Sequence, residues 1–191
     1  MKLGSWWHCQ YGRLLMLFRR YDQAEREFRE ALRADPSYLR AIGSLGLLYG
    51  TRGRYALAVE QFKVAVRLQP GDAVLLFDLG YVLHLNKDYE PAVEAFRRAL
   101  EIRPGIDRAW YGLGLALGSL GRHQESADAL QRAAELQPMN SFAWYELGMA
   151  YHVLNRLDRL DEVIAHLNRF DPKTTQHLVR ATGRGTSPPV Q

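Results

Sequence analysis

The residues that could do chemistry are few, and their spacing turns them away from it. The one cysteine, Cys9, follows His8. A thiol beside an imidazole could make an activated nucleophile, but neighbours on a helix point in different directions. His84 and His152 could ligate a metal ion, and they stand 68 residues apart. A metal needs its ligands at ~2 Å, and packed helix axes lie ~8–10 Å apart. Histidines two helix pairs apart therefore cannot share one ion. Gly112-x-Gly114 with Gly118 has the look of a phosphate-cradling loop, and Gly46 with Gly50 of a membrane-helix contact. Both sets of glycines fall in the middle of apolar-periodic helices, where small residues serve packing. A single cysteine excludes an intrachain disulfide framework and a Cys-rich metal site, and it fits a reducing compartment. No catalytic residue, metal site or cofactor is expected.

The elements that carry these residues recur. Pro36, Pro70, Pro104, Pro138 and Pro172 are spaced by 34 residues, and so are Gly12, Gly46, Gly80, Gly114 and Gly148. A fixed period of that length marks stacked helix pairs, and such arrays carry extended binding surfaces. The 191 residues, 47% hydrophobic and 24% charged, thus form one array rather than separate globular domains.

The net charge of +4 is mostly arginine interleaved with carboxylates. Glu25 with Arg29, and Glu94 with Arg98, are placed to pair at i,i+4 on helix surfaces. No run of five like charges exists, which argues against a nucleic-acid partner. The N-terminal stretch is broken by His8, Gln10 and Arg13 and lacks a signal-peptide core. Nothing approaches the ~20 apolar residues of a membrane span. A cytoplasmic protein is expected, and the excess of arginine over lysine points to a bacterial source.

Residues 39–72 show the local logic. Ile42, Leu45 and Tyr49 recur at steps of three and four, one face of a helix. Gly53 can end that helix in a left-handed conformation. A second helix follows from about Ala56 to Leu68, with Ala58, Phe62 and Ala65 facing inward, until Pro70-Gly71 stops it. In the next repeat, Pro91 after Glu90 suits the first turn of a helix.

The pattern Leu45-Gly46-x-x-Tyr49…Ala58…Phe62…Ala65…Pro70 resembles the tetratricopeptide repeat. The resemblance extends over repeats 5–38, 39–72, 73–106, 107–140 and 141–174, and it implies an all-α fold. The expected architecture is a right-handed α-solenoid of about five helix-turn-helix units spanning 1–172. In the last repeat Leu160 and Leu167 replace small alanines, so that helix, Asp158 to Phe170, is expected to act as a cap. Residues 173–182, with His177, Leu178 and Val179, could add a capping helix. Gly183 to Gln191 reads as a flexible tail.

In this family the first helix of each repeat lines the concave face. The resemblance therefore implies a partner-binding groove at Phe77, Tyr81, His84, Arg108, Tyr111, Leu115, Phe142, Tyr145, Met149 and His152. Recesses are expected over Gly43, Gly50 and Gly118, between aromatic walls. Such a surface suits a helix or extended segment with spaced apolar anchors. The lysine and asparagine of carboxylate-clamping co-chaperones are missing, since Cys9, Arg13, Gly43 and Leu47 occupy those places. Arg40 and Arg108 remain as contacts for an acidic group.

The implied function is a scaffold or adaptor that binds a peptide or helix of another protein, without catalysis. Two narrower roles fit the resemblance. One is a chaperone for an apolar client, as in bacterial secretion systems, whose arrays are shorter. The other is a recognition subunit of a separate enzyme such as a glycosyltransferase. Trp6, Trp7, Met16 and Leu17 on the first helix could also meet a second copy of the chain, giving a homodimer.

Overall fold

The computed structural model describes residues 3–184. Within them lie eleven helices and no strand. In chain order these are α1 (Leu3–Leu17), α2 (Tyr21–Ala34), α3 (Leu39–Thr51), α4 (Tyr55–Leu68), α5 (Ala73–Leu85) and α6 (Tyr89–Ile102). They continue with α7 (Asp107–Ser119), α8 (His123–Leu136), α9 (Ser141–Val153), α10 (Leu157–Asn168) and α11 (Pro172–Thr182). The chain divides into two compact halves, Met1–Ile102 and Arg103–Gln191. The first half holds three helical hairpins, α1–α2, α3–α4 and α5–α6. The second holds hairpins α7–α8 and α9–α10, with α11 packed on both helices of the latter.

Each hairpin closes around a missing side chain. A Cβ on Gly12 would stand 2.7 Å from the Phe28 ring, one on Gly46 2.8 Å from Phe62, and one on Gly80 2.8 Å from Phe96. Leu130 takes the aromatic's place over Gly114, at 2.5 Å. The glycine lets the second helix approach, and the large apolar residue fills the gap at native packing density. Ala24, Ala58 and Ala92 are fully buried beside these contacts.

The turn inside each hairpin uses a left-handed residue, and it recurs with the period. Gly53 (φ 70°) and Gly121 (φ 75°) carry it without strain, but Arg19 (φ 57°), Lys87 (φ 67°) and Asn155 (φ 53°) adopt it too. Two later first helices are capped by side chains. Asp72 accepts hydrogen bonds from the backbone N–H of Val74 (2.8 Å) and Leu75, and Asn140 accepts from those of Phe142 and Ala143.

In the last repeat Leu160 and Leu167, at the places of Ala58 and Ala65 in the second repeat, are both fully buried. The site over Gly148 is shared. A Cβ there would meet Leu178 of α11 at 2.6 Å and Val163 of α10 at 3.3 Å. Helix α11 thus supplies the residue that the earlier hairpins take from their own second helix. Asp171 caps it by accepting from the Thr174 N–H (3.0 Å). The tail expected from Gly183 is ordered at its start: Gly183 (φ 65°) closes α11. Arg184 then donates to both carboxylate oxygens of Asp161, at 2.9 and 2.6 Å. The rest of that expected tail, 185–191, lies outside the described residues.

Candidate functional site

The first helix of each hairpin presents the residues implied as a groove, and burial sorts them into two groups. In the first half, Tyr81 on α5 is 51% exposed. Phe77, one turn earlier, is half-buried between it and the core. Its ring stacks on Tyr81 with centroids 6.4 Å apart and tilts against Phe96 of α6 at 6.1 Å. His84 is held by its own hairpin, its ring 5.5 Å from that of Tyr89. Its Nδ1 is buried without a hydrogen-bond partner, and burial pulls the imidazole below its ordinary pKa. Leu47 of α3 and Val74 of α5 join Tyr81 as exposed apolar side chains. They occupy the ninth and second places of their repeats.

In the second half, Phe142 at the second place of α9 is 73% exposed. Tyr111, Tyr145 and Met149 are half-buried and pack on one core cluster around Leu130, Leu147 and Tyr151. Leu115 and His152 are also half-buried, and His152 Nδ1 has no hydrogen-bond partner. Arg108 is exposed on α7. Each half thus gathers some of the implied residues: Phe77 with Tyr81 in the first, and Tyr111, Tyr145 and Met149 in the second. The more exposed contributors are Tyr81, Arg108 and Phe142.

One charged group in this surface escaped the sequence reading. Glu146 lies on α9 beside Tyr111 and is half-buried. Burial pushes its carboxyl above the usual range. Tyr111 is pushed up in turn, first by burial and then by Glu146. Its signal was available: Glu146 is an acid in the middle of an otherwise apolar first helix.

The recesses expected over glycines divide as well. A Cβ on Gly43 would meet nothing within 4 Å, so space is open there. Gly118 serves packing, since a Cβ would meet Ser126 Oγ at 3.3 Å, whereas a Cβ on Gly50 would make only an ordinary contact with Val82 at 3.9 Å. Cys9, at the fifth place where Tyr111 and Tyr145 stand, is fully buried and lines no surface.

The second half also holds a pocket of about 260 Å³ whose lining includes Trp144, Tyr151, Glu162 and His166. Its polar groups are already engaged. Trp144 Nε1 donates to the Pro138 carbonyl at 2.9 Å, and Trp110 repeats that bond to Pro104 at 2.8 Å. Arg159 pairs with Glu162 at 2.9 Å. Among the described residues no group of three or more His, Cys, Asp or Glu could hold a metal ion. No helix among them is long and apolar enough to cross a membrane.

The repeating Gly–Phe closure and the 34-residue turn define a class of helical-repeat protein. The chain belongs to the tetratricopeptide repeat family, whose model matches residues 12–73, 44–107, 92–141 and 111–159. Among curated proteins none matches this sequence. Solved structures do. MamA from Desulfovibrio magneticus RS-1 superposes with a TM-score of 0.80 at 22% identity, covering 95% of this chain and 98% of that one. YrrB, described as a TPR protein with an unusual peptide-binding site, gives 0.78 at 22% identity, covering 91% and 90%. PilF from Pseudomonas aeruginosa gives 0.76 at 18% identity, covering 94% and 85%. At these identities the likeness establishes a shared fold. The fold and family make the chain a protein-interaction scaffold in kind.

Proposed function

We propose that this chain is a non-catalytic scaffold that holds a peptide or helix of another protein against its first helices. The observation that carries this reading is the placement of exposed apolar side chains. Leu47, Val74, Tyr81 and Phe142 all stand at second or ninth places of first helices, places that no repeat buries and that here carry large apolar side chains into solvent. Within the first half, half-buried Phe77 backs Tyr81 and His84 stands one turn further on; within the second, half-buried Tyr111, Tyr145 and Met149 pack on one core cluster, with Leu115 and His152 also half-buried. Aromatic and methionine side chains are the types that dominate interface cores. A half-buried carboxylate at Glu146 favours a ligand that brings a basic side chain, because an unpaired charge is costly away from water. Arg108 adds a contact for an acidic group at the rim. YrrB, with its peptide-binding site on the same fold, supports the class of ligand.

The test is site-specific photo-cross-linking in cells of origin. A photoreactive phenylalanine analogue replaces Tyr81 or Phe142, and in a control replaces the exposed outer-face residue Glu94. One protein captured from both groove positions and absent from the control is expected. Capture from the Glu94 position alone, or from none, would overturn the groove. A purified client that stays soluble only in the complex would narrow the role to a chaperone. Activity of a separate enzyme appearing on addition of this chain would narrow it to a recognition subunit.

A further inference from the structure

Helix α1 carries a face that the rest of its half leaves bare. Leu3, Trp7, Tyr11, Leu14, Leu17 and the following Phe18 are all exposed, Trp7 by 63% and Phe18 by 70%. At ~100° per residue these six fall within about 120° of helix arc. No charged side chain lies inside that arc, and Gln10 is its one polar member. Arg13 falls outside it.

The register says what kind of face this is. Trp7, Tyr11 and Leu14 occupy the third, seventh and tenth places of their repeat. The same places hold Ala41, Leu45 and Leu48 in α3, and Ala143, Leu147 and Ala150 in α9, all buried. Helices α3 and α9 each pack on the second helix of the preceding hairpin. The α1 stripe is therefore the face with which a first helix of this array packs on a neighbouring helix. Its side chains are larger, however. A tryptophan stands where alanine lets the backbones close up, so the stripe does not suit the close fit used inside the array.

We infer that this stripe is a homodimer interface, in which α1 packs antiparallel on α1 of a second copy about a two-fold axis. Two observations favour a second copy. The first is area. Large side chains bury roughly 150–250 Å² each when aromatic, so six at these exposures leave on the order of 700 Å² bare. A symmetric pair then buries on the order of 1,400 Å², the size of stable specific interfaces. The second is the other end of the chain. Helix α11 turns Thr175 and Leu178 inward and presents Lys173, Gln176, His177 and Arg180 to solvent. Among the described residues α11 offers no apolar stripe to receive α1 head-to-tail, which favours the isologous arrangement. Trp6, expected from the sequence to share the contact, is half-buried and meets Trp7 edge-on at 5.4 Å. It backs the interface rather than forming it. The inference is independent of the groove, and together the two would make a bivalent scaffold, in which one partner bearing two motifs gains avidity.

The test is sedimentation equilibrium of the full chain at tens of micromolar, where a dimer of this size should be populated. The expected species has twice the 21.9 kDa chain mass. A Trp7→Glu, Tyr11→Glu variant should sediment at the single-chain mass with an unchanged circular-dichroism spectrum. As a check that does not depend on that variant folding, Tyr11→Cys should cross-link to itself under mild oxidation. Tyr11 stands mid-stripe, near the proposed axis, while Cys9 is buried and inert. A monomeric wild type, a species larger than a dimer, a dimer that persists in the glutamate variant, or a silent Tyr11→Cys would each overturn the proposal. Photo-cross-linking from Tyr81 should survive Trp7→Glu, Tyr11→Glu, which separates failure here from failure of the groove.

Discussion

The first and last helices of this chain are both amphipathic, yet they are finished in opposite ways. Helix α11 has its apolar residues turned in and polar ones turned out, and its Leu178 fills the space over Gly148. Helix α1 buries Cys9, Gly12 and Leu15 on one side and leaves a second apolar side uncovered. A helical array needs a polar outer face at each end to stay soluble. Helix α1 has none on its bare side, where Trp7, Tyr11 and Leu14 stand exposed. The comparison teaches that capping is a property of side chains rather than of position in the chain.

The sharpest way to break the comparison is to remove the cap. Leu178→Ala deletes a fully buried side chain, which should cost about 2–5 kcal/mol by urea unfolding. A loss below 1 kcal/mol would mean that α11 covers nothing of consequence. Next come the two sides of α1. Gly12→Ala places a methyl 2.7 Å from the buried Phe28 ring and should destabilise by roughly 1–3 kcal/mol. Gly4→Ala meets nothing within 4 Å and should stabilise by up to about 1 kcal/mol through helix propensity. Equal effects from the pair would erase the distinction between closed and open sides.

The smallest effect lies at the start of α11. Hydrogen bonds from Thr174, backbone first and then hydroxyl, hold the Asp171 carboxyl below the usual range. Stabilisation from a depressed carboxyl is present above the unfolded pKa and is lost as pH falls through the folded one. Asp171→Ala should therefore lower the melting temperature slightly at neutral pH, and the deficit should vanish in strong acid. A deficit that persisted unchanged in acid would mean that the carboxylate's charge is not what caps the helix.

Much of this fold was legible because its determinants are local and periodic. Gly46 with Phe62 and Pro70 states a hairpin in a single window, and repetition confirms it. The left-handed turn was visible at Gly53, hinted at by Asn155, and hidden at Arg19 and Lys87, whose types do not announce a positive φ. The cap was half legible. Leu160 and Leu167 break the small-residue pattern, but only packing reveals that Leu178 arrives from a later helix to fill over Gly148. The groove was the least legible part. Residue type alone does not distinguish Phe142, which stands in solvent, from Tyr145, which is half inside the core. That split depends on neighbours contributed by other helices. Glu146 was overlooked for a similar reason, because its desolvation comes from helices distant in sequence.

Cys9 has a consequence of another kind. It is fully buried on α1, its thiol hydrogen-bonded to Ser44 of α3, and burial raises it above the ordinary thiol pKa. A protonated, enclosed thiol is inert toward oxidants and alkylating agents. It becomes reactive when α1 lifts away from its neighbours, locally or on global unfolding, so the chain carries its own stopwatch. A thiol reagent consumed faster than the whole chain unfolds would read the local opening of α1.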